Sequence, residues 1–476
     1  MRLSEVIATL NGAAPSAGPE ELEREVAGYS IDSRAILEGE LFFAIRGERY
    51  DGHDFAADAL GKKAIAAVVS RDFALSTAGE EMKQGGAMLI PVEDTLAALQ
   101  RLASSLLARW PGREVAITGS MGKTTTKEMT ARCLERKGRV MKSVGNFNND
   151  YGLPLSILKM ESQGAKAEDF DFAVLEMGMN HKGEIARLAS IAPPDVGVVT
   201  VVAPVHLEFF SSVDEIAEAK GELVTGIKTG GAAILNADDP RVSRMRDLRD
   251  DIDVRMFGIE EAAEVTARGI RHEGLGGTSF VLVTPRGEIP ARLPVAGRHN
   301  LYNGLAAAAV ADYFETPLDD IAAALGESAS PRMRGEVISF EGGFTIIDDS
   351  YNSNPRALIE MVRTIKASKD FKRKVVVAGE MLELGETGPA LHREAGNQIA
   401  RLGVDLLIGV RGLAEHIVEG AIEAGLARER AIFCATPEEA ARALESRARA
   451  GDLILVKGSR GVKTEIVVQQ MKREKR

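Results

Sequence analysis

Cysteine is almost absent from this chain of 476 residues, which contains only Cys133 and Cys434. Two cysteines so far apart in sequence indicate neither a disulfide framework nor a cysteine-based zinc site. We interpret both as buried thiols of a protein from a reducing compartment.

Long apolar runs are also missing. No run approaches the ~20 residues that a membrane-spanning helix needs, and the longest, 196–205, is interrupted by glycine, threonine and proline. The N-terminus carries Arg2 and Glu5 in place of the uninterrupted apolar core of a secretory signal. The sequence therefore predicts a cytoplasmic protein without membrane insertion.

An excess of basic residues is the third feature that the sequence lacks. Lysine and arginine number 59 against 70 for aspartate and glutamate, and the net charge is −11. A protein that coats nucleic-acid phosphates needs a basic surface, so the sequence predicts no nucleic-acid partner. Apolar residues at 45% and charged residues at 27% are typical of folded globular proteins and exclude a wholly disordered chain.

The length predicts several domains, because a domain usually contains ~100 to 200 residues. Turn-forming residues at 110–112 and 326–331 mark two boundaries. We predict domains over residues 1–110, 111–330 and 331–476.

Strand and helix patterns alternate from about Val115 onward, which predicts an α/β fold with parallel sheets covered by helices. Between Val265 and Pro294 the period shortens toward two residues, which predicts a β-ribbon on the central domain. In the last segment, helical stretches separate five apolar strands, as is typical of a Rossmann-like domain. These strands are Thr345–Ile347, Val375–Val377, Leu406–Val410, Ala431–Phe433 and Leu453–Val456.

A glycine-rich loop follows the apolar strand 114–118 and precedes a helical pattern through Leu134. Glycines let backbone N–H groups surround phosphate oxygens, while a lysine supplies a full charge and a threonine can bind magnesium. Ile117 stands where the full motif has its first glycine, so the match is to a shortened phosphate loop. The alternative is a glycine-rich turn with an exposed lysine, but the flanking strand and helix favour nucleotide binding. The loop residues are Gly119, Ser120, Met121, Gly122, Lys123, Thr124 and Thr125.

Two further apolar strands, 172–176 and 198–202, precede side chains suited to a metal or a phosphate. Glu176 ends the first strand, and His206 follows the second. Because ligands of open α/β sheets bind beyond the carboxyl ends of the strands, both residues are expected near the phosphate loop. A carboxylate suits magnesium better than a histidine does. A capped strand end and a surface histidine are the alternative from the residues alone.

Four strings together resemble those of the Mur ligases, ATP-dependent amide-bond enzymes of peptidoglycan precursor synthesis. The resemblance runs from about Ser30 to Gly461, and the motifs occur in the family's order. It implies an N-terminal α/β domain that binds UDP, a central P-loop ATPase-like domain and a C-terminal Rossmann-like domain that binds the incoming substrate. The strings are TGSMGKT at 118–124, GNFNN at 145–149, EMGMN at 176–180 and GRHNLYN at 297–303.

The resemblance also implies an ATP and magnesium site. By pattern alone Lys220 is interpreted as a solvated helix lysine, but it matches the family lysine that carbon dioxide converts to a carbamate. A carbamate is a carboxylate-like metal ligand. The implied catalytic residues are Lys123, Glu176, His206 and Lys220, and the implied magnesium ligands are Thr124, Glu176, His206 and carbamylated Lys220. ATP is implied to contact the loop 119–125 and His299, Asn300, Asn303, Arg334 and Asp349, with Arg332 close enough in sequence to compete with Arg334.

Two stretches of the first segment, 29–34 and 43–53, are similar to family stretches that hold the UDP end of the precursor. A serine there can donate to a pyrophosphate oxygen, and an arginine can neutralise it. From the residues alone, a surface ion pair between Asp32 and Arg34 in a turn is equally compatible. The implied precursor-binding residues are Ser33, Arg46, Arg49, Asn146, Asn148 and Asn149.

Within the family, residues 348–355 and 379–385 are most similar to the branch that joins D-alanyl-D-alanine to UDP-N-acetylmuramoyl-tripeptide. The implied partners are these two substrates and ATP, and we expect a monomer. Asn354 and Ser459 are candidates for contact with the dipeptide, because both follow predicted strands. Asn354-Pro355 also predicts the start of a helix, with proline at the first helical position.

Three alternatives stay open from the sequence. Two lie within the same class: a sibling ligase that adds the third amino acid, and a folylpolyglutamate-type ligase. The third is a nucleotide-dependent switch protein, although the chain lacks the Asn-Lys-x-Asp motif that reads guanine.

Overall fold

The computed structural model describes residues 1–12, 18–205 and 207–473. His206, a predicted magnesium ligand, lies outside the described residues. The described residues form three sheets of four, nine and six strands. No helix in these ranges is long and apolar enough to cross a membrane. Cys133 and Cys434 are buried free thiols, as predicted.

The first sheet consists of four parallel strands in the order β1-β2-β3-β4. Its last helix, α6, begins where the Asp94 side chain accepts hydrogen bonds from the backbone N–H groups of Leu96 and Ala97. The elements are α1 (Leu3–Leu10), α2 (Pro19–Leu22), β1 (Gly28–Ser30), β2 (Glu40–Phe43), α3 (Ala56–Gly61), β3 (Ala66–Ser70), α4 (Arg71–Ala74), α5 (Thr77–Gln84), β4 (Leu89–Val92) and α6 (Thr95–Arg109).

The central unit follows with a nine-stranded sheet. Its elements are β5 (Arg113–Thr118), α7 (Lys123–Leu134), β6 (Val140–Lys142), α8 (Gly152–Leu158), β7 (Phe172–Glu176), α9 (Glu184–Ile191), β8 (Val196–Val199), α10 (Val213–Thr225), β9 (Ala232–Asn236), α11 (Pro240–Ser243), β10 (Asp253–Gly258), β11 (Val265–His272), β12 (Thr278–Thr284), β13 (Gly287–Leu293), α12 (Arg298–Tyr313) and α13 (Leu318–Gly326).

Within this sheet, seven strands from β6 to β11 are parallel, and β12 and β13 continue it antiparallel. Every residue of β7 is buried, which is typical of a parallel strand with helices on both faces. In β12, buried and half-buried residues alternate, as expected for a strand with one buried face. The predicted β-ribbon is thereby confirmed.

The first two units share one hydrophobic core. This core contains Leu99 and Leu102 of α6, Leu153 of α8 and Leu175 of β7, all without exposed surface. The polypeptide between the first sheet and β5 is therefore not a free linker. The third unit, by contrast, forms two buried clusters of its own around its sheet.

The third sheet has the strand order β14-β15-β19-β16-β17-β18 and is parallel except for β14. All five predicted strands are present, whereas the edge strand β14 was not predicted. The elements are β14 (Glu336–Ser339), β15 (Thr345–Asp349), α14 (Pro355–Ala367), β16 (Arg373–Gly379), α15 (Gly388–Arg401), β17 (Leu406–Val410), α16 (Ala414–Glu423), β18 (Ala431–Cys434), α17 (Pro437–Glu445), β19 (Asp452–Lys457) and α18 (Glu465–Arg473).

Helix α14 begins as the sequence predicts. The Asn354 side chain accepts a hydrogen bond from the Ala357 N–H at 2.9 Å, and Pro355 occupies the first helical position. The sheets fall within the three predicted segments and confirm the α/β class, while the exact domain boundaries stay predictions.

Candidate active site

The loop between β5 and α7 depends on two glycines. Gly119 and Gly122 have φ angles of +148° and +83°, which L side chains rarely adopt. A Cβ at Gly119 would lie 1.9 Å from the Thr200 hydroxyl oxygen, and one at Gly122 would lie 2.4 Å from the Asn303 side-chain oxygen. The loop therefore packs against the end of β8 and against α12 with no room for a side chain.

Helix α7 starts at Lys123 with no side chain capping its first N–H groups. Free N–H groups at a helix start, together with the helix dipole, form an anion site. The Lys123 ammonium donates to the Gly119 carbonyl oxygen at 2.7 Å, and burial lowers its pKa. The loop thus presents backbone donors and one lysine to the same space.

A buried carboxylate faces the start of α7. The Thr124 hydroxyl donates to one oxygen of Glu176 at 2.7 Å, and the Asn148 amide donates to the other at 2.8 Å. Thr124 and Glu176 are 7% and 2% exposed. Hydroxyl and carboxylate oxygens are the ligands that magnesium prefers, so this pair fits the ion.

Lys220 is buried on α10, with 3% of its surface exposed. Its pKa lies well below the usual lysine value, chiefly because of burial and secondly because Lys123 is also positive. No carboxylate of the described residues contributes to this shift. The pattern-based interpretation of Lys220 as a solvated helix lysine is therefore wrong.

The start of α12 contributes a second wall. Asn300 donates to the Ala296 carbonyl at 2.7 Å and accepts from Asn303 at 3.1 Å. His299 Nδ1 is buried without a hydrogen-bond partner in the part of the chain that the structure describes, and burial lowers the pKa of this side chain. An unpaired buried ring nitrogen is available to a ligand.

The third unit supplies the facing wall. The Arg334 guanidinium stacks on the Tyr351 ring at 3.9 Å from its centre. Asp349, at the end of β15, accepts from the Lys457 ammonium at 2.6 Å, and Lys457 also donates to the Asn352 carbonyl at 2.9 Å. The sequence analysis missed Lys457 and Tyr351. The pairing of β15 with β19, which sets Asp349 opposite Lys457, is the structural basis that sequence alone did not reveal.

These walls enclose a cavity of about 880 Å³ between the carboxyl ends of the second and third sheets. It brings together most of the residues predicted for ATP and magnesium. Among predicted residues, the lining includes Ser120, Met121, Gly122, Lys123, Thr124, Thr125, Asn146, Asn148, Glu176, His299, Asn300, Asn303, Arg334, Asp349 and Asn354.

Other predicted residues lie away from this cavity lining. Asn149 accepts from the Gly152 N–H at 2.9 Å and so supports the start of α8. Ser459 is 3% exposed and accepts from the Leu382 N–H at 3.0 Å. Arg332 is not in the lining, whereas Arg334 is.

The first unit carries the remaining predicted residues. Ser33 is buried, whereas Arg46 and Arg49 are exposed. Arg46 forms an ion pair with Asp51 at 2.9 Å. The exposed surface pair of Asp32 and Arg34, at 2.7 Å, corresponds to the alternative that the residues alone allowed.

Carboxylates alone, in the part of the chain that the structure describes, do not form a metal site in the cavity. Among the described residues, no group of three or more histidine, cysteine, aspartate or glutamate side chains could hold a metal ion. Any site there must combine Glu176 with the Thr124 hydroxyl and with other donors, which is consistent with a magnesium ion that retains waters.

A phosphate loop, a helix N-terminus and a buried carboxylate at the carboxyl ends of a parallel sheet define a P-loop nucleotide-binding protein. Its cavity is shared with a Rossmann-like unit. Three family models match the chain: "Mur ligase family, catalytic domain" at 25–106, "Mur ligase middle domain" at 117–311, and "Mur ligase, glutamate ligase domain" at 333–460. The chain belongs to the Mur ligase family.

Whole-chain comparisons agree with these matches. The UDP-N-acetylmuramoyl-tripeptide–D-alanyl-D-alanine ligase of Bacillus subtilis (strain 168) is 33% identical over 96% of this chain and 95% of its own. A crystal structure of MurF from Acinetobacter baumannii has a TM-score of 0.85 at 29% identity and covers 99% of this chain and 98% of its own. MurF ligase from Thermotoga maritima, in complex with ADP, has a TM-score of 0.79 at 30% identity over 94% and 98%.

Proposed function

We propose that this protein is an ATP-dependent ligase that joins D-alanyl-D-alanine to UDP-N-acetylmuramoyl-tripeptide and releases ADP and phosphate. The observation that carries the proposal is the cavity in which the phosphate loop and Glu176 face Arg334 and Asp349 of another unit. The names of relatives that match along nearly the whole chain supply the two substrates.

The chemistry starts from an unreactive carboxylate. The terminal phosphoryl group of ATP transfers to the carboxylate of the tripeptide's third residue and forms an acyl phosphate. The dipeptide amine then attacks the acyl carbon, and phosphate leaves from a tetrahedral intermediate. Positioning of the reactants and stabilisation of the developing charge supply most of the rate enhancement.

The phosphate loop is assigned to ATP in this proposal. The backbone donors of residues 119–125 and the Lys123 ammonium bind the phosphates, and Arg334 approaches from the opposite wall. Its stacking on Tyr351 holds the guanidinium plane in place. His299, Asn300 and Asn303 bind the rest of the nucleotide, supported by the unpaired His299 Nδ1, and Asp349 contacts it from the third unit.

Magnesium belongs to the proposal because Thr124 and Glu176 offer buried oxygen ligands 2.7 Å apart. When bound, the ion neutralises charge on the phosphates. Lys220 is proposed to join these ligands as a carbamate. A lysine attacks carbon dioxide as the neutral amine, and the lowered pKa of Lys220 favours that form. His206 is retained as a proposed ligand from the family resemblance alone.

The two other substrates are assigned to the remaining predicted residues. Ser33, Arg46 and Arg49 are proposed for the UDP end of the precursor, and Asn146, Asn148 and Asn149 for its approach to the phosphate loop. For the dipeptide, Asn354 lines the cavity, while Ser459 lies behind it with its hydroxyl bonded to the Leu382 N–H.

The proposal includes a monomer in the cytoplasm. The cytoplasmic assignment is supported by the two buried free thiols, Cys133 and Cys434, because free thiols are typical of a reducing compartment. A sibling ligase that adds a single amino acid and a folylpolyglutamate-type ligase are the alternatives.

The test mixes the enzyme with ATP and the tripeptide precursor, with and without D-alanyl-D-alanine, and follows ADP release and the mass of the product. We expect dipeptide-dependent ADP release, a product heavier by one dipeptide less water, and loss of both in Glu176→Gln. ADP release that ignores the dipeptide, or an equal rate with a single amino acid, would contradict the proposal.

A further inference from the structure

Lys127 is a charged side chain with no exposed surface, one helical turn after Lys123 on α7. Its ammonium donates to the carbonyl oxygens of Ser143 at 2.8 Å and Gly145 at 3.2 Å, and it lies 3.3 Å from a Glu128 oxygen. A buried ammonium costs free energy unless it is well paired. These contacts are therefore what keeps Lys127 inside the protein.

The two carbonyls belong to the start of residues 143–149, which we call the asparagine loop. The other end of the loop is attached to the end of β7 and to Gly178, two residues after that strand. The Asn148 amide donates to Glu176 at 2.8 Å, and the Gly178 N–H donates to the Asn148 carbonyl at 2.8 Å. The Ser143 hydroxyl also accepts from the Glu176 N–H at 3.0 Å.

We propose that Lys127 is a positioning residue that fixes the asparagine loop relative to the phosphate loop. Lys123 and Lys127 lie on one rigid helix, so the ammonium of Lys127 sets the distance between the phosphate site and the loop that carries Asn146 and Asn148. Both asparagines line the cavity. The inference rests on the proposed function, in which this loop contacts the UDP-linked precursor.

If Lys127 only stabilised the fold, its loss would lower stability without a selective rise in the precursor KM. The chain offers a matched control for this alternative. Lys374 is 6% exposed and donates to the carbonyls of Ser368 at 2.6 Å and Phe371 at 2.9 Å. None of these three residues lines the cavity. Lys127→Met and Lys374→Met therefore remove comparable bonds at two different places.

The experiment measures KM for the precursor and for ATP, together with thermal unfolding, in both variants. In Lys127→Met we expect the precursor KM to rise about tenfold, which corresponds to one charge-assisted hydrogen bond, with the ATP KM within about twofold. In Lys374→Met both values should match wild type despite a similar loss of stability. An unchanged precursor KM in Lys127→Met, or an equal rise in both KM values, would overturn the inference.

Two further variants sharpen the result. Lys127→Gln keeps an uncharged NH2 donor group, so it should show an intermediate precursor KM and replaces Lys127→Met if that variant does not fold. Adding Lys127→Met to a variant that carries both Asn146→Ala and Asn148→Ala should raise the precursor KM no further, because Lys127 acts through these two asparagines; additive effects would contradict that route. If wild type makes no amide, the proposed function fails, and calorimetric binding of the precursor to both lysine variants still decides the inference.

Discussion

At the scale of single residues, Lys220 gives a sharp prediction. If it acts as a carbamate, Lys220→Ala loses most activity while its unfolding curve stays cooperative. A short carboxylic acid such as acetate should restore part of the activity, because it supplies the missing anionic oxygen. Steady-state ADP release with increasing acetate measures the rescue.

Lys220→Arg is the control for this experiment. Its guanidinium keeps a positive charge and fills the space, so acetate should not restore activity. Wild-type activity in Lys220→Ala would show that Lys220 takes no part in the reaction.

A second residue-scale prediction concerns Glu114 at the amino end of β5, opposite the cavity. Burial raises the pKa of this carboxyl to about 8, the positive charge of Lys228 opposes the shift and Asp195 adds to it. The folded protein therefore holds a proton that the unfolded chain releases near pH 4.5. The stabilisation is complete below that pH and is lost as the pH rises toward 8.

Glu114→Gln removes this titration because an amide stays neutral. We expect the variant to gain stability relative to wild type from pH 5 to pH 8, by a few kcal/mol in total (~1.4 kcal/mol per pKa unit). Urea unfolding of both proteins at several pH values measures the difference. A difference that does not change with pH would show that Glu114 does not titrate in this range.

Residue patterns predicted the position of Lys123 but not the burial of Lys220. The glycines and the flanking strand make a phosphate loop recognisable from sequence because its geometry is local. The burial of a lysine on α10 depends on which other elements cover that helix, and a single helical pattern contains no such information. Lys457 was missed for the same reason, since its partner Asp349 is 108 residues away.

At the scale of elements, one buried carboxylate of α12 pairs with two arginines of the central sheet. Asp312 is 1% exposed and accepts from Arg255 at 3.1 Å and from Arg286 at 2.9 Å. Arg255 lies on β10, and Arg286 lies in the turn between β12 and β13. The carboxylate therefore attaches the ribbon to the helix whose first turn faces the cavity.

Asp312→Asn should lower the free energy of unfolding by about 3 kcal/mol, because two partly buried guanidinium groups lose their counter-charge. Asp253→Asn is the matched control, since Asp253 also pairs with Arg255 but is half exposed, and we expect a change below about 1 kcal/mol. Urea unfolding followed by circular dichroism compares the two. Equal losses of unfolding free energy in the two variants would show that burial of Asp312 does not increase its contribution to stability.

Strand and helix periodicity predicted most elements of the third sheet. Four of the five predicted strands are almost wholly buried, and β18, at the other edge of the sheet, still has a continuous apolar run, whereas β14 alternates half-buried and exposed residues. The β14 sequence lacks a continuous apolar run of the kind that identifies its neighbours. Its pairing with β15 depends on the tertiary structure, which the local sequence pattern does not contain. The β-ribbon was recognisable because a period of two runs through β12 and most of β13, although β11 loses it at a register shift between Arg268 and Arg271.

At the scale of the whole molecule, the cavity depends on the arrangement of two units. Arg334, Tyr351 and Asp349 of the third unit line the same space as the phosphate loop. We expect the third unit to close onto the second when ATP and the precursor bind. Such a closure would exclude water from an acyl phosphate, which would otherwise hydrolyse. We expect a non-hydrolysable ATP analogue together with the precursor to reduce the radius of gyration measured by small-angle scattering.

Each ligand alone provides the control, and we expect a smaller reduction from either one. An identical radius of gyration with and without both ligands would show that the third unit does not move on binding.

The core that α6 and α8 share bears on which parts of the chain can be exchanged between related proteins. Because the first two units are buried against each other, a change of side-chain volume in one is felt by the other, so we expect the pair to be inherited as one piece. The third unit carries its own buried clusters, with Leu275 of the ribbon packed against one of them, and it forms the facing wall of the cavity. It can therefore be exchanged between relatives as an intact module, so a chimera that takes residues after about 331 from another family member should fold.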